Sequence, residues 1–231
     1  MKPTVLLFDI DGTLVTTGGV GRRALDKAFD TLHGRADACL FALDGMTDGM
    51  IVRLGLAEIG VAVSDAAVHT VLQLYLKNLA HEVARAAPET YRLHLGMREA
   101  VETALATSGF AVGLGTGNLH EGARLKLERL HFFHPFRFGG FGSDHDNRTV
   151  LIGVGARRGA EALGIPPSEC RVVVIGDTPR DVLAAQENGA ESVGVATGRF
   201  SAAKLRESGA THAFENLSAP GALEAVLGVR S

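Results

Sequence analysis

Short unbroken apolar runs recur along the chain, separated by longer stretches in which apolar residues return every three or four positions. Val5–Phe8, Ala111–Leu114, Val172–Ile175 and Ser192–Val195 are the clearest runs. They lack the polar alternation of a half-exposed strand, so they read as parallel strands covered on both faces. Arg137–Phe138 and His212–Phe214 are shorter candidates for the same sheet. Met97–Thr107, Glu121–Leu130, Thr149–Leu163 and Pro179–Asn188 read as helices between them. In the first of these, Ala100, Val101, Ala104 and Leu105 share one side; in the second, Leu125, Leu127 and Leu130 stand among charges. Gly109, Gly164 and Gly189 each follow a helical stretch, where a left-handed C-cap is wanted. This alternation over Leu95–Leu227 predicts a doubly wound, Rossmann-like α/β core with a mainly parallel sheet.

One segment departs from the alternation. From about Thr16 to Pro88 the pattern is helical and no convincing strand is visible. Val68, Val71, Leu72, Tyr75, Leu79 and Val83 follow the spacing of an amphipathic helix, and Arg22–Leu32 and Met50–Ile59 read as helices too. Thr16–Gly21 and Ala86–Thr90 bracket the segment as hinge-like stretches. A simple crossover between parallel strands uses one helix. Several helices therefore predict an inserted all-α cap over residues 16–90, with the core built from residues 1–15 and 91–231.

Composition narrows the function classes. The 231 residues suit one large domain or a domain with an insert, and 46% apolar residues are enough for a sizeable core. The net charge of −3 gives no reason to expect a nucleic-acid or anionic-membrane surface. Cys39 and Cys170 lie far apart in sequence and read as reduced structural thiols. The first apolar run is too short for a signal peptide, and no stretch approaches a membrane span. The expectation is a soluble cytoplasmic protein, monomeric or homodimeric.

In a sheet of this type, ligands bind beyond the carboxyl ends of the strands. The first strand delivers Asp9 and Asp11, the run at Ala111–Leu114 delivers Thr116, Gly117 and Asn118, and the run at Val172–Ile175 delivers Asp177, Thr178 and Asp181. Asp9 and Asp11 stand two apart and share one face, with Ile10 turned to the core. Like charges this close raise each other's pKa, so the pair asks for a cation. An all-oxygen donor set suits Mg²⁺.

These motifs resemble the haloacid dehalogenase-like hydrolases, most of which are Mg²⁺-dependent phosphatases. "DIDGTLV" resembles that family's first motif, "GTGN" its second and "VVVIGDTPRDV" its fourth, in the family's order. "GMTD" (Gly45–Asp48) resembles a stretch in the cap of phosphoglycolate-phosphatase-like and β-phosphoglucomutase-like members. The resemblance implies that Asp9 is the nucleophile and Asp11 the general acid and base. It further implies that Asp9, the Asp11 carbonyl and Asp177 hold Mg²⁺, supported by Asp181. Thr116, Gly117 and Asn118 would serve the phosphoryl oxygens. Dehalogenase members lack the second Asp, so Asp11 points to phosphate ester chemistry.

The chain departs from the family at one place. A Lys normally precedes the fourth motif, and the stretch from Ser143 to Ile165 contains none. Arg148 opens the helix there and is the expected substitute for phosphate binding; Arg157 and Arg158 read as solvated. An Arg grips phosphate as a fork rather than as a point charge, so the exchange is not neutral. His131, His134 and His145 lie near Asp144 and Asp146 but lack paired zinc-ligand spacing, which favours packing or surface roles. "GLGTGN" lacks the full pattern of a dinucleotide or P-loop site.

The leading expectation is a Mg²⁺-dependent phosphatase acting on a small phosphorylated metabolite of the phosphoglycolate or sugar-phosphate type. A phosphotransferase or mutase of the β-phosphoglucomutase type shares every core motif, and product analysis separates the two. A catalytically dead binding module would be marked by loss of an acidic residue, and Asp9, Asp11, Asp177 and Asp181 are all present.

Overall fold

The computed structural model describes residues 2–228. Met1 and residues 229–231, which the expected core includes, lie outside the described residues. The chain opens with strand β1 (Thr4–Phe8), then β2 (Val15–Thr16) and three helices, α1 (Val20–His33), α2 (Asp48–Glu58) and α3 (Asp65–Arg85). It returns through β3 (Arg92–Leu93), α4 (Met97–Ala106), β4 (Phe110–Thr116), α5 (His120–Glu128), β5 (Gly139–Phe141) and α6 (Arg148–Leu163). It ends with β6 (Arg171–Gly176), α7 (Pro179–Glu187), β7 (Glu191–Val195), α8 (Ala202–Glu207), β8 (His212–Phe214) and α9 (Ala222–Leu227).

Six strands form one parallel sheet in the order β5-β4-β1-β6-β7-β8. β1 lies in the interior between β4 and β6, with Phe8 level with Leu114 and Ile175. All five of its residues are buried, which is why its sequence carries no alternation. Its two faces serve different clusters. Leu6 and Phe8 pack with Met97, Val101, Leu127 and Val226, whereas Val5 and Leu7 pack with Leu151, Ile152, Ala160 and Ala184. Helices therefore cover both faces, as the doubly wound reading requires.

The fifth strand differs from the expected Arg137–Phe138. The strand is Gly139–Phe141; Phe138 precedes it, its carbonyl accepting from the Leu114 amide at 3.1 Å and its ring packing over Gly113. The cause is packing against α6: a Cβ on Gly140 would lie 1.8 Å from the Leu151 carbonyl oxygen. Glycines chosen for close approach give no hydrophobic signal.

Helices α1–α3 share a cluster that includes Ala28, Phe29, Val52, Leu56, Tyr75 and Leu79, joined by Tyr91 and by Leu125 of α5. Ser64 caps α3 by accepting from the Ala67 amide, and Thr47 caps α2 by accepting from the Met50 amide. At the base of the helices, β2 and β3 pair antiparallel, Val15 opposite Leu93. Two-residue strands are too short to carry a period, so the sequence pattern did not reveal them. Among the described residues, no helix is long and apolar enough to cross a membrane.

Candidate active site

The carboxyl ends of β1, β4 and β6 meet at one place. The Asp9 amide continues the sheet ladder by donating to the Ile175 carbonyl at 2.9 Å, which fixes Asp9 just beyond β1. Gly12 then turns the chain with a φ of +81°, and a Cβ there would lie 2.5 Å from Asp177. Only glycine lets this turn run so close to the carboxylate that follows β6. Thr13 donates to Asp177 at 2.8 Å, tying the two strand ends together.

Asp9, Asp177 and Asp181 are all buried, and one carboxylate oxygen from each lies within 4.8 Å of the others. Asp181 occupies the third position of α7 in a capping box with Thr178: its Oδ2 accepts from the Thr178 amide at 3.0 Å and hydroxyl at 2.7 Å. Its Oδ1 is left facing the cluster, 2.5 Å from Arg148 Nη2 and without a well-aligned hydrogen bond. The same Arg148 nitrogen lies 2.9 Å from Asp9 Oδ1. Arg148 thus sits among the carboxylates, and its Nε has no partner.

Burial pushes the Asp9 carboxyl up to about 6; Arg148 works against the rise, and Asp181 and Asp11 add to it. Burial, reinforced by Asp181 and Asp9, also raises Asp177 well above the ordinary carboxylate range. Three buried carboxylates against one guanidinium leave the cluster short of positive charge. With an all-oxygen donor set, these residues fit a hard divalent cation.

Asp11 belongs to a second cluster. Its Oδ2 accepts from Asn118 Nδ2 at 2.8 Å and Lys126 Nζ at 2.6 Å. Its Oδ1 receives only a long contact from the Thr17 hydroxyl at 3.4 Å. Burial opposes ionisation, yet Lys126, Asn118 and Thr17 together hold the Asp11 carboxyl below its ordinary value. The other Asn118 amide bond goes to Thr116 Oγ1 at 2.9 Å, and its Oδ1 accepts from Lys126 at 2.7 Å. Both hydrogens of that amide are therefore committed, while Thr116 accepts from Asn118 and keeps its own proton to give.

The start of α2 also reaches these strand ends. The Asp48 amide donates to the Gly117 carbonyl and the Leu119 amide donates to Asp48 Oδ2, both at 2.9 Å. A Cβ on Gly117 would lie 2.2 Å from the Met46 carbonyl oxygen, so glycine is what permits this approach. Burial pushes Asp48 up to about 6, against the pull of Lys126. Thr47 donates to the Asp146 carbonyl at 2.8 Å, and Arg53 pairs with the Asp146 carboxylate at 2.7 Å. Beneath these contacts lies a cavity of about 280 Å³. Asp9, Asp11, Thr116 and Arg148 line its floor, and Leu25, Ile51, Leu72 and Tyr75 line the side formed by α1–α3.

All eight sequence-predicted residues line the cavity or, in the case of Asp181, touch those that do. Lys126, Asp48 and Tyr75 were missed. A signal for Lys126 was present: Gly122, Ala123, Lys126 and Leu127 form the buried stripe of α5, and Lys126 stands on it. The histidine group near Asp144 forms no site, since Asp144 pairs with Arg158 and Asp146 with Arg53. Both cysteines are free and buried.

Residues 3–189 match the family model described as haloacid dehalogenase-like hydrolase. None of the curated proteins matches significantly. Among solved structures, CbbY from Rhodobacter sphaeroides in complex with phosphate aligns with a TM-score of 0.70 at 16% identity, covering 97% of this chain and 100% of that one. A hydrolase from Pseudomonas syringae aligns with a TM-score of 0.67 at 21% identity over 94% of each chain. A predicted phosphoglycolate phosphatase from Haemophilus somnus aligns with a TM-score of 0.68 at 14% identity, covering 99% of this chain and 98% of that one. At these identities the structures speak for the fold, and the family rests on the model match that spans most of the sequence and holds Asp9, Asp11, Thr116, Asp177 and Asp181. This chain belongs to the haloacid dehalogenase-like hydrolases.

Proposed function

We propose that the protein is a Mg²⁺-dependent phosphomonoesterase for a small organic phosphate of the phosphoglycolate or sugar-phosphate type. The observation that carries the reading is the buried trio of Asp9, Asp177 and Asp181 at the floor of the cavity, with Asp11 beside it. Residues 16–90 act as the cap, and residues 1–15 with 91–231 as the catalytic core. The hydrophobic cluster centred on α1–α3 supports that division. The cavity of about 280 Å³ suits a compact substrate and disfavours a protein side chain presented on a bulky surface.

Asp9, Asp177 and Asp181, with the Asp11 main-chain carbonyl, would hold Mg²⁺. When bound, the ion offsets the repulsion between the carboxylate and the phosphoryl oxygens. Asp9 attacks phosphorus and forms an aspartyl-phosphate as the ester bond breaks. Asp11, ionised beside Lys126, takes a proton from the monoanionic phosphate ester and passes it to the departing oxygen as the ester bond breaks, then takes one from the water that attacks the phosphoaspartate and releases phosphate. The Thr116 hydroxyl and the Gly117 amide donate to the phosphoryl oxygens. Asn118 acts through its bonds to Thr116 and Asp11. Arg148 holds Asp9 and Asp181 in register and supplies the positive charge that a Lys gives elsewhere in the family.

The test is phosphate release from p-nitrophenyl phosphate and a panel of small phosphate monoesters, with Mg²⁺ or with EDTA, beside Asp9→Asn. Release that needs both Mg²⁺ and Asp9 is expected. A folded protein that releases phosphate from none of them with Mg²⁺ present overturns the reading.

A further inference from the structure

Lys126 is a buried cation that the proposed reaction has not used. It comes from α5, on the β4 side of the site, far in sequence from the fourth motif. Its side chain is only 5% exposed, while the Asp11 side chain it pairs with is 42% exposed. The ammonium thus sits behind the carboxylate, and the carboxylate faces the cavity. Lys126 bonds the same Asp11 oxygen that Asn118 bonds, Oδ2, and it also donates to Asn118 Oδ1. These three groups close a ring of charge-assisted bonds. The ring consumes Oδ2 and leaves Oδ1, with its single long contact to Thr17, as the oxygen turned to the substrate.

The insert covers the ammonium from the other side. A Cβ on Gly21 would lie 3.5 Å from Lys126 Nζ and 3.8 Å from the Tyr75 hydroxyl. The first turn of α1 and the middle of α3 therefore roof the ring. Lys126 also lines the cavity, but its ammonium bonds go to Asp11 and Asn118, so turning it to the phosphoryl group would break the ring.

Resting on the phosphomonoesterase reading above, we infer that Lys126 is a positioning residue. It clamps Asp11 Oδ2 from behind so that Oδ1 is the atom that exchanges the proton with the leaving oxygen and then with water. A chain without the clamp keeps its nucleophile and its cation site but loses the aim of its general acid. The consequence depends on the leaving group. An alkoxide needs the proton as the ester bond breaks, whereas p-nitrophenolate departs without one.

The experiment compares wild type, Lys126→Met and Asp9→Asn on p-nitrophenyl phosphate and on glycerol phosphate, both with Mg²⁺, with circular dichroism to confirm the fold. General acid catalysis is worth about 10²–10⁴ in rate. Lys126→Met is therefore expected to lose about 100-fold or more in kcat on glycerol phosphate and less than about tenfold on p-nitrophenyl phosphate. KM is expected to change little for either ester, because Lys126 does not touch the phosphoryl group. Equal losses on the two esters, a loss confined to KM, or no loss at all overturns the inference while leaving the phosphatase reading in place. Absence of Asp9-dependent hydrolysis in the wild type overturns that reading instead. Should Lys126→Met fail to fold, Lys126→Gln keeps a donor on the buried stripe and is read by the same ratio of the two losses.

Discussion

The raised carboxyls of Asp9 and Asp177 should make the metal-free protein less stable as pH rises, and Asp9 allows the size to be worked out. Burial moves its carboxyl from 3.8 in the unfolded chain to about 6 in the fold. A shift of that size is worth about 3 kcal/mol. Below about pH 4 both states hold the proton and Asp9 contributes nothing. Between about pH 4 and 6 the unfolded chain releases its proton while the folded one retains it, so stability falls. Above about pH 6 the full cost of about 3 kcal/mol is present. At pH 4.5 it has shrunk to about 1 kcal/mol. A chain of this length loses about 2–4 °C of Tm per kcal/mol, so about 6–12 °C is at stake. Asp177 and Asp48 are raised too and deepen the same trend, whereas Asp11 is lowered and opposes it. The variant Asp9→Asn isolates one carboxyl from this background. Calorimetry in EDTA should find it more stable than wild type at pH 7.5, by an amount that shrinks toward pH 4.5. Mg²⁺ should raise the wild-type Tm at pH 7.5 and do little for the variant. If Asp9→Asn gains nothing at pH 7.5, or gains equally at both pH values, the argument from buried charge is wrong.

Two further outcomes test the contacts around the site. Gly117→Ala places a methyl 2.2 Å from the Met46 carbonyl, so it should hold the insert off the core loop. A loss of about 1–3 kcal/mol in stability and a higher KM for phosphate esters are expected, read by thermal denaturation and steady-state kinetics. Thr178→Ala removes the hydroxyl that caps α7 and orients Asp181. It should cost about 1–2 kcal/mol, and calorimetric titration should show weaker Mg²⁺ binding.

The parallel strands were legible because both their faces are covered. Complete burial writes an unbroken apolar run, and β1, β4, β6 and β7 each have one. The amphipathic α3 was legible for the same reason, since Val68, Val71, Tyr75, Leu79 and Val83 are its buried face. β5 was displaced in the reading because its glycines answer to the backbone of α6 rather than to the hydrophobic effect. β2 and β3 were invisible because a pair of two-residue strands is too short to carry a hydrophobic period, although Val15 and Leu93 both pack on the core.

The site divides along the same physical line. Asp9, Asp11 and Asp177 stand where a buried strand ends, with Asp181 following in the first turn of α7, and a buried strand gives a run of carboxylates no reason to follow it unless something there needs them. Lys126 and Asp48 stand on helices, where a charge is ordinary and solvent is the default partner. Their local marks are faint, the GMTD stretch that ends at Asp48 and the small residues beside Lys126, and the docking of α2 and α3 against α5 is what turns them inward. That docking also bears on the missing family lysine. Positive charge meets these carboxylates as Arg148 beside Asp9 and Asp181 and as Lys126 beside Asp11. The sequence pattern exposed the first, because Arg148 opens a helix at a motif position. It hid the second, because an ammonium on a helix looks solvated until the small residues beside it, Gly122 and Ala123, are recognised as the inner stripe. A polar residue flanked at helical spacing by glycine and alanine therefore merits the same suspicion as a carboxylate after a strand: its neighbours are small because something packs there, and the charge must be paired.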